Sequence, residues 1–416
     1  MNVQGDSGVG PAPGLSFGEK VVVLVGGILA AMALTVINPV LPDIEKELAR
    51  TATDAMLVKQ LFGAVTLAMV AGAPIGGFLV ARLGMRRLIL GASLIYAIAG
   101  TAGLYLDSLP MLLLSRMFMG ASAACIQVMS LTLVNTRLDA EGRARWMGLH
   151  VSTAIFCSLL IFPLAGVLGD MSWRLPFLLY GFGLVVFAAL LFSRSDEEAQ
   201  ADQGGSAEQV EEDETSIWTW MPWHYVLLSL FVGAITFLPT IYLPYQFKEQ
   251  AGLSPSGIAI ILMGTALVSG IMAMLYGKAR RRFSVHAVFL FSFGAAAAGM
   301  AIVAFANSLP AVLLGFVVYS LGNSWFVPNV MTSLGGKLAN HQQARAAGIV
   351  KAGHFLSTPL CVVIVEPYAR QFGPVSVMLM VSVAAFAIFL LMVFRTLQLG
   401  RRGGPQLAPQ PQTIGH

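Results

Sequence analysis

Three ionisable side chains lie inside long apolar segments of the 416-residue chain, where a charge is costly to place. Arg116, Lys351 and His354 each have apolar residues on both sides over a membrane-spanning length. A charged group at the centre of a bilayer costs about 2.5–3.5 kcal/mol on insertion scales, so each of these residues marks a possible polar pathway. Arg116 and Lys351 could attract an anion, and His354 titrates near neutral pH and could carry a proton. The chemistry indicated is the binding of a polar solute or a proton within a membrane.

Helical spacing gives each of these residues polar or small neighbours on its own face. Arg116 shares a face with Gly120, Ala123 and Gln127, a stripe that suits the wall of a cavity. The alternative is an arginine that holds its helix to a neighbour by bonding backbone carbonyls. Lys351 could instead extend its long stem to the membrane surface. His354 lies about ten residues of helix from Ala344, at 1.5 Å per residue, and should be near the middle of the membrane.

Further polar and aromatic residues in the apolar segments could line a binding site. Ligand sites are mostly apolar with a few placed polar groups. The alternative is that such side chains bond between helices. The predicted substrate-binding residues are Asn38, Arg116, Gln127, Tyr242, Tyr245, Tyr319, Asn323, Trp325, Lys351 and His354.

Acidic residues are placed differently from these basic and polar groups. All 21 fall in tails, loops, a central linker or the ends of apolar segments, with Glu366 closing one of them. A cavity with cations and no carboxylate favours an anionic, zwitterionic or neutral solute over a lipophilic cation. If protons are coupled to transport, we predict that Arg116 and His354, or the peripheral Asp43, take part.

Composition places the chain among membrane proteins. Hydrophobic residues make up 56% and charged residues only 11%, whereas soluble domains carry about 25% charged residues. The net charge of +4 is spread over short loops, which argues against nucleic-acid binding. The sequence lacks metal-ligand spacing, a phosphate-binding loop and a nucleophile constellation. We therefore expect no metal, no cofactor and no enzymatic activity.

Twelve apolar runs are long enough to cross a bilayer, which needs about 20 residues. Segment 194–222 is acidic and cannot form a core, so we interpret it as a cytoplasmic linker. The predicted organisation is an N-terminal tail at 1–20, a six-helix half at 21–193, this linker, a second half at 223–396 and a C-terminal tail at 397–416. The runs centre on 21–42, 55–80, 88–106, 110–134, 146–168, 175–193, 223–246, 256–277, 285–306, 309–334, 345–366 and 373–396.

Lysines and arginines predict the orientation. With both termini inside, seventeen lie on the cytoplasmic side and six, Lys59 among them, on the outer side. Short loops and high Ala, Gly and Arg usage favour a bacterial inner membrane. We expect a monomer embedded in the lipid bilayer.

The two halves repeat with an offset of 200 residues. Pro39 matches Pro239, Gly77 and Arg82 match Gly277 and Arg282, and Ser108-Leu109-Pro110 matches Ser308-Leu309-Pro310. One register that links several separate places indicates two homologous six-helix halves. Transporters built from such parallel repeats bind their substrate between the halves, near the bilayer midplane.

Four stretches resemble motifs of the major facilitator superfamily, and of its twelve-span drug:proton antiporter branch in particular. The turn between spans 2 and 3 resembles the first motif, and span 4 resembles the second, whose arginine is associated in the family with proton coupling. The matching stretches are Gly76-Gly77-Phe78 through Gly84-Met85-Arg86-Arg87, Asn38-Pro39-Val40-Leu41-Pro42, Arg116 through Ala124, and Pro163-Leu164-Ala165-Gly166 through Asp170. This resemblance implies gating roles for Gly77, Arg82, Gly84, Arg86, Arg87, Pro163 and Gly166.

One residue departs from the first motif. The aspartate of the pattern is replaced by Ala81, and the aligned residue in the second half is Arg281. In the family that aspartate pairs with positive groups and holds the outward-open state. We therefore expect a weakened charge lock and a lower barrier to inward opening.

The resemblance implies an all-α transporter of the major facilitator fold that works by alternating access. The leading interpretation is proton-driven export of a small-molecule substrate that is amphipathic, anionic or zwitterionic. One alternative is uptake or exchange of an organic anion or a metal-chelating metabolite, favoured by the cations Arg116 and Lys351. Another is a lipid flippase or a sensor that does not transport.

Overall fold

The structure, a computed structural model, describes residues 15–193, 220–335 and 340–401. The predicted acidic linker lies outside the described residues, except for its last three positions. The predicted tails are likewise described only at 15–20 and 397–401.

Twelve helices are long and apolar enough to cross a membrane in the described part of the chain, as predicted. Most are longer than their apolar runs, because helix continues past the first charged residues at either end. Spans 1 to 12 cover Phe17–Leu48, Ala52–Leu83, Met85–Leu104, Leu109–Arg137, Glu141–Met171, Leu175–Phe192, Trp223–Ala251, Pro255–Arg282, Val285–Phe305, Leu309–Leu334, Arg345–Phe372 and Pro374–Gln398.

Side-chain caps begin several of these helices. The hydroxyl of Ser16 accepts a hydrogen bond from the backbone N–H of Glu19, whose carboxylate accepts from the backbone N–H of Ser16. Thr51 and Asp54 form the same reciprocal pair at the start of span 2. These pairs satisfy backbone N–H groups that a helix leaves without partners at its N-terminus.

Short turns separate successive spans, and glycine supplies the backbone shape where the turn is tight. Gly84 between spans 2 and 3 has φ +77°, and Gly373 between spans 11 and 12 has φ +79°. Such values are readily adopted only by glycine. Span 1 changes to a tighter 3-10 turn at Asn38–Val40, and a helix at Leu41–Leu48 follows. Pro39, which has no backbone N–H to donate, lies in that turn.

The helices form two six-span halves, each with its own core. Leu29, Tyr96 and Tyr180 are buried in the first half, and Phe293 and Phe326 in the second. Spans 2 and 4 approach closely where Gly72 faces Ala121 and Gly120 faces Val65. The predicted all-α fold in two halves is confirmed, and the described residues contain no strand.

The start of span 1 and the end of span 12 lie at one end of the bundle, which we call the terminal end. Gly18 of span 1 lies against Ser193 after span 6, and His286 of span 9 contacts Thr396 of span 12 at 2.6 Å. The opposite end is called the far end. Because short connections make successive spans alternate in direction, odd-numbered spans run from the terminal end to the far end.

The halves touch at the far end and are apart at the terminal end. Toward the far end, Gly63 of span 2 packs against Pro359 of span 11, and Gly166 of span 5 packs against Ser256 of span 8. Toward the terminal end, glycines of the same four spans have open space where a Cβ would stand. These glycines are Gly77, Gly148, Gly277 and Gly348. The conformation is therefore open toward the terminal end.

Candidate functional site

A cavity of about 370 Å³ lies between the two halves near the middle of the bundle. Helices of both halves contribute to its wall, because spans 1, 2 and 5 face spans 7, 8 and 10 there. The lining residues are Ala31, Leu34, Thr35, Asn38, Phe62, Ala154, Ser158, Leu159, Phe162, Thr236, Phe237, Thr240, Leu262, Thr265, Ala266, Ser269, Phe316, Tyr319, Ser320 and Asn323. The position is that of a substrate site shared by two repeats.

The cavity wall is half polar and carries no charged residue among the lining positions described. Ten lining residues are apolar, and four of these are the phenylalanines Phe62, Phe162, Phe237 and Phe316. The other ten carry hydroxyl or amide groups. A wall of aromatic rings with hydroxyl and amide groups suits an uncharged amphipathic solute.

Asn38 is the most distinctive polar group of this wall. Its amide nitrogen donates to the carbonyl of Leu34 at 3.1 Å, whereas its buried carbonyl oxygen has no hydrogen-bond partner. A buried polar atom without a partner costs about 1–3 kcal/mol. Asn38 is 1% exposed, so a solute that donates a hydrogen bond reaches this oxygen only after a small movement of the wall, and it then removes that cost.

Two further predicted residues, Tyr319 and Asn323, line the cavity from span 10. Tyr319 donates its hydroxyl hydrogen to the carbonyl of Ile235 at 2.9 Å. The Thr236 hydroxyl donates to the carbonyl oxygen of Asn323 at 2.8 Å. These bonds connect span 7 to span 10 and orient both side chains. Asn38, Tyr319 and Asn323 are therefore brought together at one cavity, as the sequence predicted for a binding site.

Replacing Asn38 by leucine should weaken binding of solutes that donate hydrogen bonds. The loss of an acceptor without a protein partner is expected to lower affinity by about tenfold, equivalent to about 1.4 kcal/mol. The loss is measured as the difference in Kd between the wild type and N38L for chloramphenicol, an uncharged molecule that donates hydrogen bonds. Gln127→Leu, at an amide outside the cavity lining, is the control and should keep the wild-type Kd. Equal Kd values for N38L and the wild type would contradict the assignment.

Arg116 does not line this cavity, and its predicted place in a cavity wall is wrong. The side chain is fully buried against the end of span 3, where it donates to the carbonyls of Ala99 at 2.9 Å and Gly100 at 2.5 Å. Its guanidinium lies 4.9 Å from the ring centroids of both Phe177 and Tyr180. The last carbonyls of a helix carry partial negative charge, so they stabilise a cation that has no carboxylate partner. The geometry matches the alternative reading, an arginine bonded to backbone carbonyls.

The rest of the predicted stripe on span 4 also packs against helices. A Cβ added at Gly120 would lie 2.6 Å from the carbonyl oxygen of Val65. Ala123 is fully buried. Gln127 is partly buried and does not belong to the cavity lining. Small residues on this face serve close approach of spans 2 and 4.

Lys351 and His354 lie beside the cavity and not in its wall. The His354 ring is buried, with its centroid 5.0 Å from that of Phe237, which does line the cavity. Its Nδ1 has no hydrogen-bond partner. Lys351 is exposed, one turn nearer the terminal end, with its Nζ 5.8 Å from the Phe355 ring. Arg116, Lys351 and His354 therefore lie outside the lining of this cavity, and the roles predicted for them in substrate binding and proton coupling stay predictions.

Three predicted aromatic residues also lie elsewhere. Trp325 is buried between spans 8 and 10 and donates its indole N–H to the carbonyl of Met272 at 2.7 Å. Tyr242 and Tyr245 lie near the far end, where both rings face the Lys59 ammonium at 5.8 and 4.5 Å. All three side chains form contacts between helices, and none of them lines the cavity.

Sequence reasoning missed a charged network at the far end. Lys59, expected in the outer loop region, is buried in span 2 and pairs with Glu366 of span 11 at 3.0 Å. Glu366 is 2% exposed and lies six residues inside its helix, so the expectation that it closes span 11 is wrong. Asp43, predicted at the outer mouth, pairs with Lys248 of span 7 across the two halves. One signal was available, because Lys59 falls within the predicted run 55–80.

The predicted gating residues lie at both ends of the bundle. Arg82 is exposed with its guanidinium 4.4 Å from the Phe78 ring, and Arg87 is also exposed. Arg86 donates to the carbonyls of Leu190 at 2.7 Å and Ser193 at 3.0 Å, which fastens span 3 to span 6. Ala81 is exposed.

Two glycines among these residues behave differently from one another. Gly77 was expected to allow close approach of helices, but a Cβ there meets nothing within 4 Å. Gly166, three residues after Pro163 in span 5, packs against span 8, because a Cβ added there would lie 2.6 Å from Ala259 and 2.7 Å from Ser256. The gating roles stay predictions.

No group of three or more His, Cys, Asp or Glu residues that could hold a metal ion occurs in the described ranges. The three cysteines are free thiols.

Comparisons with known proteins relate the whole chain to transporters. Multidrug resistance protein 1 of Bacillus subtilis is 25% identical over 343 residues, 79% of this chain and 84% of the relative. Quinolone resistance protein NorA of Staphylococcus aureus is 22% identical over 375 residues, 87% of this chain and 93% of the relative.

Solved structures show the same fold at low sequence identity. The D-xylose-proton symporter superposes with a TM-score of 0.73 at 17% identity, over 90% of this chain and 97% of the symporter. A bacterial homologue of the human lysosomal transporter Spinster superposes with a TM-score of 0.69 at 16% identity, over 94% and 98% of the two chains.

The family match completes the assignment. The model of the Major Facilitator Superfamily matches residues 23–246 and 225–413, which together include both halves. The relatives and the fold are those of transporters, so the prediction of a transporter and not an enzyme is confirmed. Since the two matches together extend over most of the sequence, this multi-pass membrane protein belongs to the Major Facilitator Superfamily.

Proposed function

We propose that the protein exports small, uncharged, amphipathic molecules in exchange for protons, by alternating access. The observation that carries this proposal is the uncharged cavity between the halves, which is lined by four phenylalanines together with hydroxyl and amide groups and is open toward the terminal end. The arginines and lysines of the loops favour a cytoplasmic terminal end in a bacterial inner membrane. In that orientation the cavity takes up its substrate from the cytoplasm or the inner leaflet. The far end then faces the outside.

The substrate class follows from the cavity wall. A charged solute loses its hydration on entering a site of this kind, and burial of an unpaired charge is strongly unfavourable. The residues that favoured an organic anion, Arg116 and Lys351, are outside the lining. An uncharged molecule with an aromatic part and one or more hydrogen-bond donors can contact the phenylalanine rings and Asn38 together.

Export and proton coupling are supported by the relatives. Two proteins that align over most of this chain are named for multidrug and quinolone resistance. The sequence contains no phosphate-binding loop, so an ion gradient is the expected source of energy. We further propose that residues 1–20 and 397–416 are cytoplasmic tails and that 194–222 links the two halves.

Uptake of an uncharged polyol is the second candidate. The ten hydroxyl and amide side chains of the wall favour it. One relative is the minor myo-inositol transporter IolF of Bacillus subtilis, 22% identical over 272 residues, 61% of each chain. The four phenylalanines of the same wall favour the amphipathic solute over the polyol.

Inside-out membrane vesicles with an acidic interior test the proposed direction and substrate class. We expect accumulation of chloramphenicol, which is uncharged and donates hydrogen bonds, and its release when a protonophore is added. Ethidium as a cation, citrate as an anion and myo-inositol as a polyol should accumulate less. Vesicles without the protein are the control. Accumulation of myo-inositol in right-side-out vesicles alone would overturn export in favour of uptake.

A further inference from the structure

A buried network of charged groups joins the two halves at the far end. The Lys59 ammonium of span 2 binds Glu366 Oε1 at 3.0 Å and Glu45 Oε2 at 2.8 Å. Glu366 also accepts from the Tyr242 hydroxyl at 2.8 Å and from Arg370 Nε at 3.0 Å. Lys59 and Glu45 belong to the first half, and the other three belong to the second.

The groups around Glu366 come from spans 1, 2 and 7 and from span 11 itself. Lys59 approaches from span 2, Glu45 from the end of span 1, and Tyr242 from span 7, while Arg370 lies one turn on along span 11 itself. A small opening of about 180 Å³ beside the network is lined by titratable groups and by residues at the start of span 12. These are Glu45, Lys59, Tyr242, Tyr245, Glu249, Glu366, Ala369, Arg370, Gly373 and Pro374.

The charges of the network divide evenly between the halves. If the far end opened, Lys59 would keep Glu45 as its partner in the first half. Glu366 would keep Arg370 in the second half. Breaking a buried ion pair is costly when it leaves one charge without a partner. Here neither half is left with an isolated charge, so the contact between Lys59 and Glu366 can break and form again during a transport cycle.

We propose that Glu366 binds the transported proton, and that Lys59 and the proton compete for its carboxylate. This inference rests on the proposed exchange for protons and names the group that carries it out. With the far end closed, the Lys59 ammonium occupies Glu366 Oε1 and the carboxylate is ionised. With the far end open, Lys59 is withdrawn, water reaches Glu366, and a proton from the outside neutralises it. Closure returns Lys59 to the carboxylate, and the displaced proton leaves toward the terminal end, which is the open end in that conformation.

The sign of the pH dependence follows from this competition. The Lys59 ammonium lies 3.0 Å from Glu366 in the closed form, so a proton can take its place on the carboxylate only where Lys59 is withdrawn, in the open form. Acid must then raise the ratio of open to closed molecules, by at most about tenfold per pH unit for a single group.

Spin-label distances across the far end measure this ratio without any substrate. Thr53 of span 2 and Gln371 of span 11 are exposed and lie on opposite halves, so each can be replaced by a labelled cysteine after the three native cysteines are removed. In purified protein reconstituted in lipid nanodiscs, we expect a short distance at about pH 8. A second, longer distance should grow as the pH falls toward about 5.

Three variants separate proton competition from a merely structural contact. E366Q should show the longer distance at every pH, because its side chain cannot ionise, and K59M should lose the acid response, because the competitor is absent. E47Q is the matched control: Glu47 lies at the same end but binds Trp173 and Arg174 within the first half. It should keep the wild-type response.

Either of two outcomes overturns the inference: a wild-type distance distribution that does not change with pH, or an acid response that persists in E366Q or K59M. Both can occur while proton-driven export is still observed in vesicles, which would assign the proton to another group. Absence of any proton-driven export in vesicles is a separate result, and it would overturn the proposed function.

Discussion

Replacement of Arg116 by alanine should leave little folded protein, because the side chain fastens span 4 to the end of span 3. The substitution removes two hydrogen bonds to the carbonyls of Ala99 and Gly100 and two ring contacts. It also leaves a large void in a fully buried place. Buried large-to-small substitutions cost about 2–5 kcal/mol. Relief of the buried positive charge offsets part of this cost, and the carbonyls at the helix end limit that relief.

The measurement is the midpoint of thermal unfolding of detergent-purified protein, followed by size-exclusion chromatography of heated samples. R116A should unfold at a clearly lower temperature than the wild type. R116K, which keeps one donor and the charge, should fall between them. Lys351→Ala is the matched control, since it removes an exposed cation from span 11 and should leave the midpoint unchanged. An R116A protein as stable as the wild type would contradict this structural role and return Arg116 to a role in transport alone.

Arg116 shows which features of the site can be predicted from the sequence and which cannot. Helical spacing correctly predicted which residues share a face of span 4 with Arg116. That face, however, can lie against either of two polar surroundings. One is the cavity between the halves, and the other is the carbonyl end of a neighbouring helix. Only the packing of span 3 against span 4 decides between them, and that packing depends on residues such as Tyr180, which are distant in the sequence.

Asn38, Tyr319 and Asn323 were found by a different kind of signal. Polar residues far from any helix end in a membrane span must face protein or a cavity. The structure then places them on spans 1 and 10, which both line the cavity between the halves. The twelve spans and the repeat were predicted for a similar reason, since apolar length and a 200-residue register are properties of the sequence itself.

The network around Glu366 shows the opposite limit. The predicted apolar run ends at its first acidic residue, Glu366, although the helix continues to Phe372. A single charge inside a span is costly, but a pair can be buried when the partners meet. Lys59 and Glu366 are 307 residues apart, and no local pattern indicates that they are partners.

Two glycines should respond in opposite ways to the addition of a side chain. Gly166 of span 5 packs against span 8 at the far end, where a Cβ would lie 2.6 Å from Ala259 and 2.7 Å from the backbone of Ser256. Gly166→Val should therefore disfavour the conformation described here and widen the far end. Overpacking of this kind costs about 1–3 kcal/mol, which changes the ratio of the two conformations by about 5- to 150-fold.

Gly77→Val should have the opposite effect. A Cβ at Gly77 meets nothing within 4 Å in this conformation, so the change should be tolerated while the terminal end is open. Closure of that end brings the halves together around span 2, and the added methyl groups would then obstruct it. G77V should hold the far end closed, and both variants should transport more slowly than the wild type.

The Thr53–Gln371 spin-label pair measures both effects in one protein. We expect the longer distance to dominate in G166V and the shorter distance to dominate in G77V at the same pH. Gly91→Val, a glycine of span 3 whose Cβ would also meet nothing, is the control for adding bulk at a place away from the interface between the halves. A shift in the same direction for G166V and G77V would show that the two glycines do not belong to opposite gates. Opposite shifts would support alternating access, because each glycine is crowded only when its own end is closed.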